Sequence, residues 1–173
     1  LPRNPRDYTS IAVTTDDSND EIVYASSMGD GVIQYKNGTP VQSYNEKNAF
    51  KETAGGYGSG YCYIDGLAFD KNGNLWMTSS EVNHAVLVLD KAGAWHRLDI
   101  EQLRGVYTIN DILITSTNDK WIYVPRNTPK LVMIPNSESL DEVSSYEFTT
   151  LIDTDGKELT PSNYTCVAED KDG

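Results

Sequence analysis

The chain has 173 residues, with 14 Lys plus Arg against 26 Asp plus Glu, a formal charge of −12. At roughly 150 residues per domain this is one domain or a piece of a larger one, and the acidic balance argues against DNA, RNA or an anionic membrane surface as partners, because those need clustered cations. With 38% hydrophobic and 10% aromatic residues, the chain has too many aromatics for a disordered acidic segment and is expected to fold.

The sequence opens on Leu1-Pro2-Arg3-Asn4-Pro5 without a basic-then-apolar leader, so any export signal is expected outside these residues. Short runs rich in Val, Ile, Tyr, Trp and Thr follow, separated by Gly, Asn and Asp clusters, which predicts an all-β chain. The first set is Ile11-Ala12-Val13, Ile22-Val23-Tyr24-Ala25-Ser26-Ser27 and Val32-Ile33-Gln34-Tyr35. A second set is Gly66-Leu67-Ala68-Phe69-Asp70, Leu75-Trp76-Met77-Thr78-Ser79-Ser80 and Val86-Leu87-Val88-Leu89. The third is Asp111-Ile112-Leu113-Ile114, Lys120-Trp121-Ile122-Tyr123-Val124-Pro125 and Leu131-Val132-Met133-Ile134. Val23, Trp76 and Trp121 take equivalent places, and the period of roughly 45 to 55 residues is that of a four-stranded propeller blade.

Between these sets, helical periodicity is nearly missing; the best candidate, around Ile100 to Leu103, is about one turn. The longest apolar run, Ala85-Val86-Leu87-Val88-Leu89, falls far short of the roughly 20 residues of a spanning helix, so no membrane contact is expected of this segment. Val167-Ala168-Glu169-Asp170-Lys171-Asp172-Gly173 repeats Leu67-Ala68-Phe69-Asp70-Lys71-Asn72-Gly73 and reads as a fourth beginning. The expected organisation is one partial propeller over 1–173, with repeats at 8–60, 61–107 and 108–160 and the start of a further blade at 161–173. Closed propellers use about four to eight blades, so about three and a half blades imply a larger ring, completed by the remainder of the same propeller or by a second copy.

At Asp70-Lys71-Asn72-Gly73-Asn74-Leu75-Trp76-Met77-Thr78-Ser79 the chain resembles the two-component regulator propeller repeat, D-x-x-G-x-L-W-x-G-T, with Ser79 where Gly is usual. Asp170-Lys171-Asp172-Gly173 looks like the first half of another such repeat. The resemblance implies an exported, extracytoplasmic protein, periplasmic or at the cell surface: a sensor region of two-component signal transduction, or the similar N-terminal propeller of PorZ-like proteins linked to type IX secretion in Bacteroidetes. Within the motif, Asp and Gly make a tight hairpin turn, and the Trp strand buries its ring between blades. Trp76 and Trp121 are therefore both expected in the core.

Chemistry-bearing residues are sparse. The acidic turns Asp70-Lys71-Asn72-Gly73, Asp153-Thr154-Asp155-Gly156 and Asp170-Lys171-Asp172-Gly173 lack the full oxygen set of a calcium loop and read as β-turns, so no metal or cofactor is expected. Of the two histidines, His96 has no nucleophile or second ligand nearby in sequence, and His84 reads as a solvated loop residue. Streptogramin lyases and gluconolactonase-like propellers supply the competing reading, in which a loop histidine such as His84 acts as general base. Cys62 and Cys166 are read as free buried thiols, and Asn37-Gly38-Thr39 and Asn163-Tyr164-Thr165 match the N-glycosylation pattern. Gly55-Gly56-Tyr57-Gly58-Ser59-Gly60-Tyr61-Cys62-Tyr63 is read as an inter-blade connection or a Tyr-rich contact loop. The expected function is non-enzymatic recognition of a small-molecule, glycan or protein ligand, the alternative a lyase or lactonase with its site on the central channel face.

Overall fold

The computed structural model describes residues 7–53 and 60–171. It is all-β apart from one 3-10 turn at Glu101–Leu103, where the sequence offered its only helical hint. Three four-stranded antiparallel meanders follow one another. Blade 1 is β1 (Tyr8–Thr15), β2 (Glu21–Gly29), β3 (Gly31–Lys36) and β4 (Thr39–Tyr44). Blade 2 is β5 (Cys62–Phe69), β6 (Leu75–Ser79), β7 (Val86–Leu89) and β8 (Trp95–Leu98). Blade 3 is β9 (Ile112–Ile114), β10 (Lys120–Val124), β11 (Lys130–Ile134) and β12 (Tyr146–Phe148). A short hairpin of β13 (Leu151–Ile152) and β14 (Glu158–Leu159) follows. The end of β2 also pairs with the start of β5, Met28 opposite Tyr63 and Gly29 opposite Cys62, which ties blades 1 and 2 into one sheet.

One local device sets the register. In Asp16–Asp20, Asp70–Asn74, Asp90–Ala94, Thr115–Asp119 and Asp153–Lys157, the first amide donates to the fifth carbonyl and the fourth amide to the first carbonyl. The fourth residue takes a positive φ each time: Asn19, Gly73, Gly93, Asn118 and Gly156, the left-handed position of a three-residue hairpin loop. The leading Asp side chain seals the turn, as when Asp70 Oδ1 accepts from the amides of Asn72 (2.9 Å) and Asn74 (2.8 Å). Thr115 substitutes its hydroxyl, accepting from the Asp119 amide at 3.0 Å.

These turns correct the alignment of the repeats. Counting from the turn, the partner of Trp76 and Trp121 in blade 1 is Ile22, not Val23, and a one-residue slip carries a side chain to the other face; Ile22 is buried and Val23 only half-buried. They also locate the core. Ala12, Val32, Leu67, Leu75, Met77 and Leu87 pack blade 1 on blade 2, whereas Trp76, Val86, Val88, Ile112, Ile122 and Val132 pack blade 2 on blade 3. All of β6 and β7 is accordingly buried. Trp76 meets the expectation at 2% exposure, but Trp121 does not. Its face is the outer one of blade 3, on which no further sheet packs among the described residues, so the ring is half-buried and stacks on Phe148 at 5.4 Å. Ile11 and Val13 on the outer face of blade 1 are exposed for the same reason, at 65% and 55%.

Polar side chains stitch each blade to the chain that begins the next. Thr9 Oγ1 donates to the Ile64 carbonyl (2.6 Å), and Thr78 Oγ1 to the Asn110 carbonyl (2.8 Å). Tyr123, which holds the place of Thr78 in blade 3, donates to the Thr165 carbonyl at 3.2 Å. Residues 161–171 form no strand, yet this bond lays them along the inner edge of blade 3, where β5 and β9 lie against blades 1 and 2. Glu169 fastens the strip further by accepting from the Ser116 amide and hydroxyl. The architecture is that of an incomplete β-propeller.

Candidate functional site

Three connections meet at one end of the blades: 45–53 and 60–61 between β4 and β5, 80–85 after β6 and 99–111 after β8. The Glu81 amide donates to the Val106 carbonyl and the Gly105 amide to the Val82 carbonyl, both at 2.8 Å. Loops gathered on a rigid scaffold are the usual place for recognition, and side chains with chemical capacity are concentrated here.

The inner part of this end is acidic and phenolic. Asp65 on β5 accepts from the Ser80 hydroxyl at 2.7 Å. Burial pushes its carboxyl up to about 7, the charge of Asp111 adds to the rise, and the Ser80 hydrogen bond opposes it. Asp111 is raised too, chiefly by burial. The Tyr61 and Tyr63 rings lie 5.9 Å apart, and Tyr63 is raised by burial first, then by Asp65, Tyr61, Tyr107 and Glu81. Glu81 has a left-handed φ of 62°. No sequence motif announced this group: Asp65 and Asp111 are brought together only by the packing of β5 against β9.

The outer part of the same end holds His84. Its ring Nδ1 pairs with Glu52, whose other oxygen accepts from the Asn83 amide at 2.7 Å. A small groove beside the pair is lined by Phe50, Val82, Leu87 and Arg97 among others, and Arg97 donates to the Ala49 carbonyl. His84 is thus not the simply solvated loop residue that the sequence suggests; it clasps the β4–β5 connection to blade 2. Burial would raise Glu52, but the hydrogen bonds from His84 and from the Asn83 and His84 amides outweigh it and hold the carboxyl below its usual range.

The remaining sequence candidates lie elsewhere. His96 bonds Asp90 through Nε2 at 3.0 Å, with Asp141 3.4 Å from Nδ1, a surface link away from the loop end. In the acidic turns at Asp70 and Asp153, Oδ1 of the leading Asp accepts from the turn's own amides, and Asp70 Oδ2 additionally accepts from Trp76 Nε1 at 2.9 Å. No group of three or more His, Cys, Asp or Glu able to hold a metal occurs among the described residues. Both cysteines are free; Cys62 is buried, its thiol pushed up to about 12 by burial, but Cys166 is exposed, because no second strand covers 161–171. Asn37, in the β3–β4 turn, uses its side-chain amide on the neighbouring β1–β2 turn, accepting from the Glu21 amide and donating to Asp20, while Asn163 is exposed. Of the Gly-rich stretch, residues 55–59 lie outside the described residues, as do Asp172 and Gly173.

Fold and loop end together define a propeller segment with a polar loop face. No family model matches the chain, and no curated protein matches it. Among solved structures it is similar to PorZ, described as an essential bacterial surface component of the type IX secretion system of Porphyromonas gingivalis, with a TM-score of 0.76 and 17% identity over 88% of this chain. The chain spans 21% of that structure's length. A likeness at this identity establishes the fold.

Proposed function

We propose that this chain is a non-enzymatic recognition segment of an exported, surface-associated propeller protein that serves protein secretion, with the loop end of blades 1 to 3 as its contact face. The observation that carries the reading is the match of 88% of the chain to PorZ at a TM-score of 0.76. The regulator-type motif around Trp76 supports an exported setting, and a sensor role in signal transduction is its near variant. The loop end supports recognition: it presents phenols and carboxylates on a rigid frame, a composition suited to polar ligands.

Gene deletion in the native host, followed by fractionation of the protein and assay of secreted cargo, tests the proposal. Surface location and loss of extracellular cargo are expected. A cytoplasmic location with normal secretion would contradict it.

One observation favours a second reading, a lyase or lactonase. His84 is oriented by a carboxylate, as a general base would be. Turnover of a lactone or uronate-type substrate that is lost in His84→Ala and in Glu52→Gln would establish it; unchanged turnover in both would remove it.

A further inference from the structure

The seam between the first strands of blades 2 and 3 holds a carboxyl, Asp65, on which no cation acts among the described residues. Ser80, fully buried, accepts from the Ile109 amide at 2.8 Å and donates to Asp65 at 2.7 Å. One hydroxyl therefore ties β5, the β6–β7 connection and the β8–β9 connection together. Thr78 makes a parallel bridge, accepting from the Gly66 amide and donating to the Asn110 carbonyl, both at 2.8 Å. The blades approach so closely that a Cβ on Gly66 would stand 2.7 Å from the Ile112 nitrogen and 2.8 Å from Asp111 Cα and Oδ1. Asp111 of one blade is thus pressed against the residue that follows Asp65 on the other.

Among the described residues, the titratable groups that act at this point are carboxyls and phenols. Tyr61 and Tyr63 stand on or just before β5, Glu81 comes from the β6–β7 connection, Tyr107 and Asp111 come from the β8–β9 connection, and Tyr123 from β10 faces Asp111. The groups that act on Asp65 itself are Ser80 and Asp111. Two carboxylates in such a place cannot both stay ionised without cost.

We propose that this seam is a proton-operated joint: with a proton on Asp65 the two blades close over Ser80, and loss of that proton sets carboxylates of adjacent blades against each other and loosens the joint. The inference is independent of the recognition role. The rise of Asp65 to about 7 agrees with it. The sign follows from linkage. Between the ordinary Asp value of about 3.9 and the folded value, the native state holds a proton that the unfolded chain has lost. Stability therefore falls as pH rises through this window and levels off above about 7.

Unfolding of the wild-type chain and of Asp65→Asn, followed from pH 5 to 9, tests the joint. Asparagine mimics the protonated form, so the variant should gain on the wild type as pH rises, by up to roughly tenfold in the folding constant per pH unit, and then keep a constant lead. Exchange protection of the Ile109 amide, corrected for its intrinsic pH dependence, should drop as pH rises towards about 7 and level off above it, in the wild type only. A constant difference from pH 5 to 9, or an Asp65 carboxyl that NMR finds titrating in the ordinary carboxylate range, would overturn the proposal. If Asp65→Asn does not fold, Asp111→Asn decides: it must lower the Asp65 titration midpoint, and an unmoved midpoint is equally fatal.

Discussion

Gly66 shows how a single hydrogen in place of a methyl fixes the spacing of two blades. Two of its three nearest neighbours in the seam are backbone atoms of Asp111 and Ile112, which cannot swing aside as a side-chain tip can. Gly66→Ala should therefore destabilise the fold by about 1–3 kcal/mol through overpacking. Gly93→Ala is the control: its φ of +90° disfavours alanine, but its Cβ would meet nothing within 4 Å. Denaturant titration of both should show altered blade contacts, read as a changed Trp fluorescence of the native state, only for Gly66→Ala. Glu52 gives a second prediction at this scale. Its folded carboxyl lies below the ordinary range, so its contribution is present above the ordinary glutamate value and is lost as pH falls through the depressed one. The melting temperature of Glu52→Gln should lie below wild type near pH 7 and converge with it in strong acid; a gap of constant size would contradict the clasp.

At the scale of the element, the two tryptophans test what the blade faces do. Trp76 is buried between blades, bonded to Asp70 and covered by the ammonium of Lys120 4.6 Å from its ring centroid. Lys120 is itself buried, and burial lowers its pKa against the pull of Asp70 and Asp119. Truncation Trp76→Ala should cost about 3–5 kcal/mol, and Trp121→Ala clearly less, because its ring keeps a solvent-facing side. Equal losses in chemical denaturation would mean that Trp121 is as enclosed as Trp76. The motif that contains Trp76 was legible in the sequence because its turn needs Asp and a left-handed residue at fixed offsets. The fourth strands were not. Thr39–Tyr44, Trp95–Leu98 and Tyr146–Phe148 lie at sheet edges, where little burial imposes an apolar pattern. Blade 1 was misread by one position because Ile22 and Val23 are chemically alike, and only the turn distinguishes their faces. The loop end was hidden for a different reason: Glu52 meets His84, and Asp65 meets Asp111, through blade packing alone, which leaves no spacing rule in the sequence.

For the molecule as a whole, the decisive property is that the middle sheet is covered on both sides. In a two-layer sandwich each sheet buries one face and alternates apolar with polar residues; β6 and β7 bury every residue. The turns, the stitches between blades and the two separate cores then follow from one repeated unit stacked on copies of itself. Side-chain NOE spectroscopy of the 173-residue chain tests this arrangement most directly. The Trp76 ring should show contacts to Lys120 and Ile122 of blade 3, while the Met77 and Leu87 methyls show contacts to Val32 and Phe50 of blade 1. Contacts that place Trp76 and Met77 against one and the same sheet, or none from Trp76 to blade 3, would contradict the propeller.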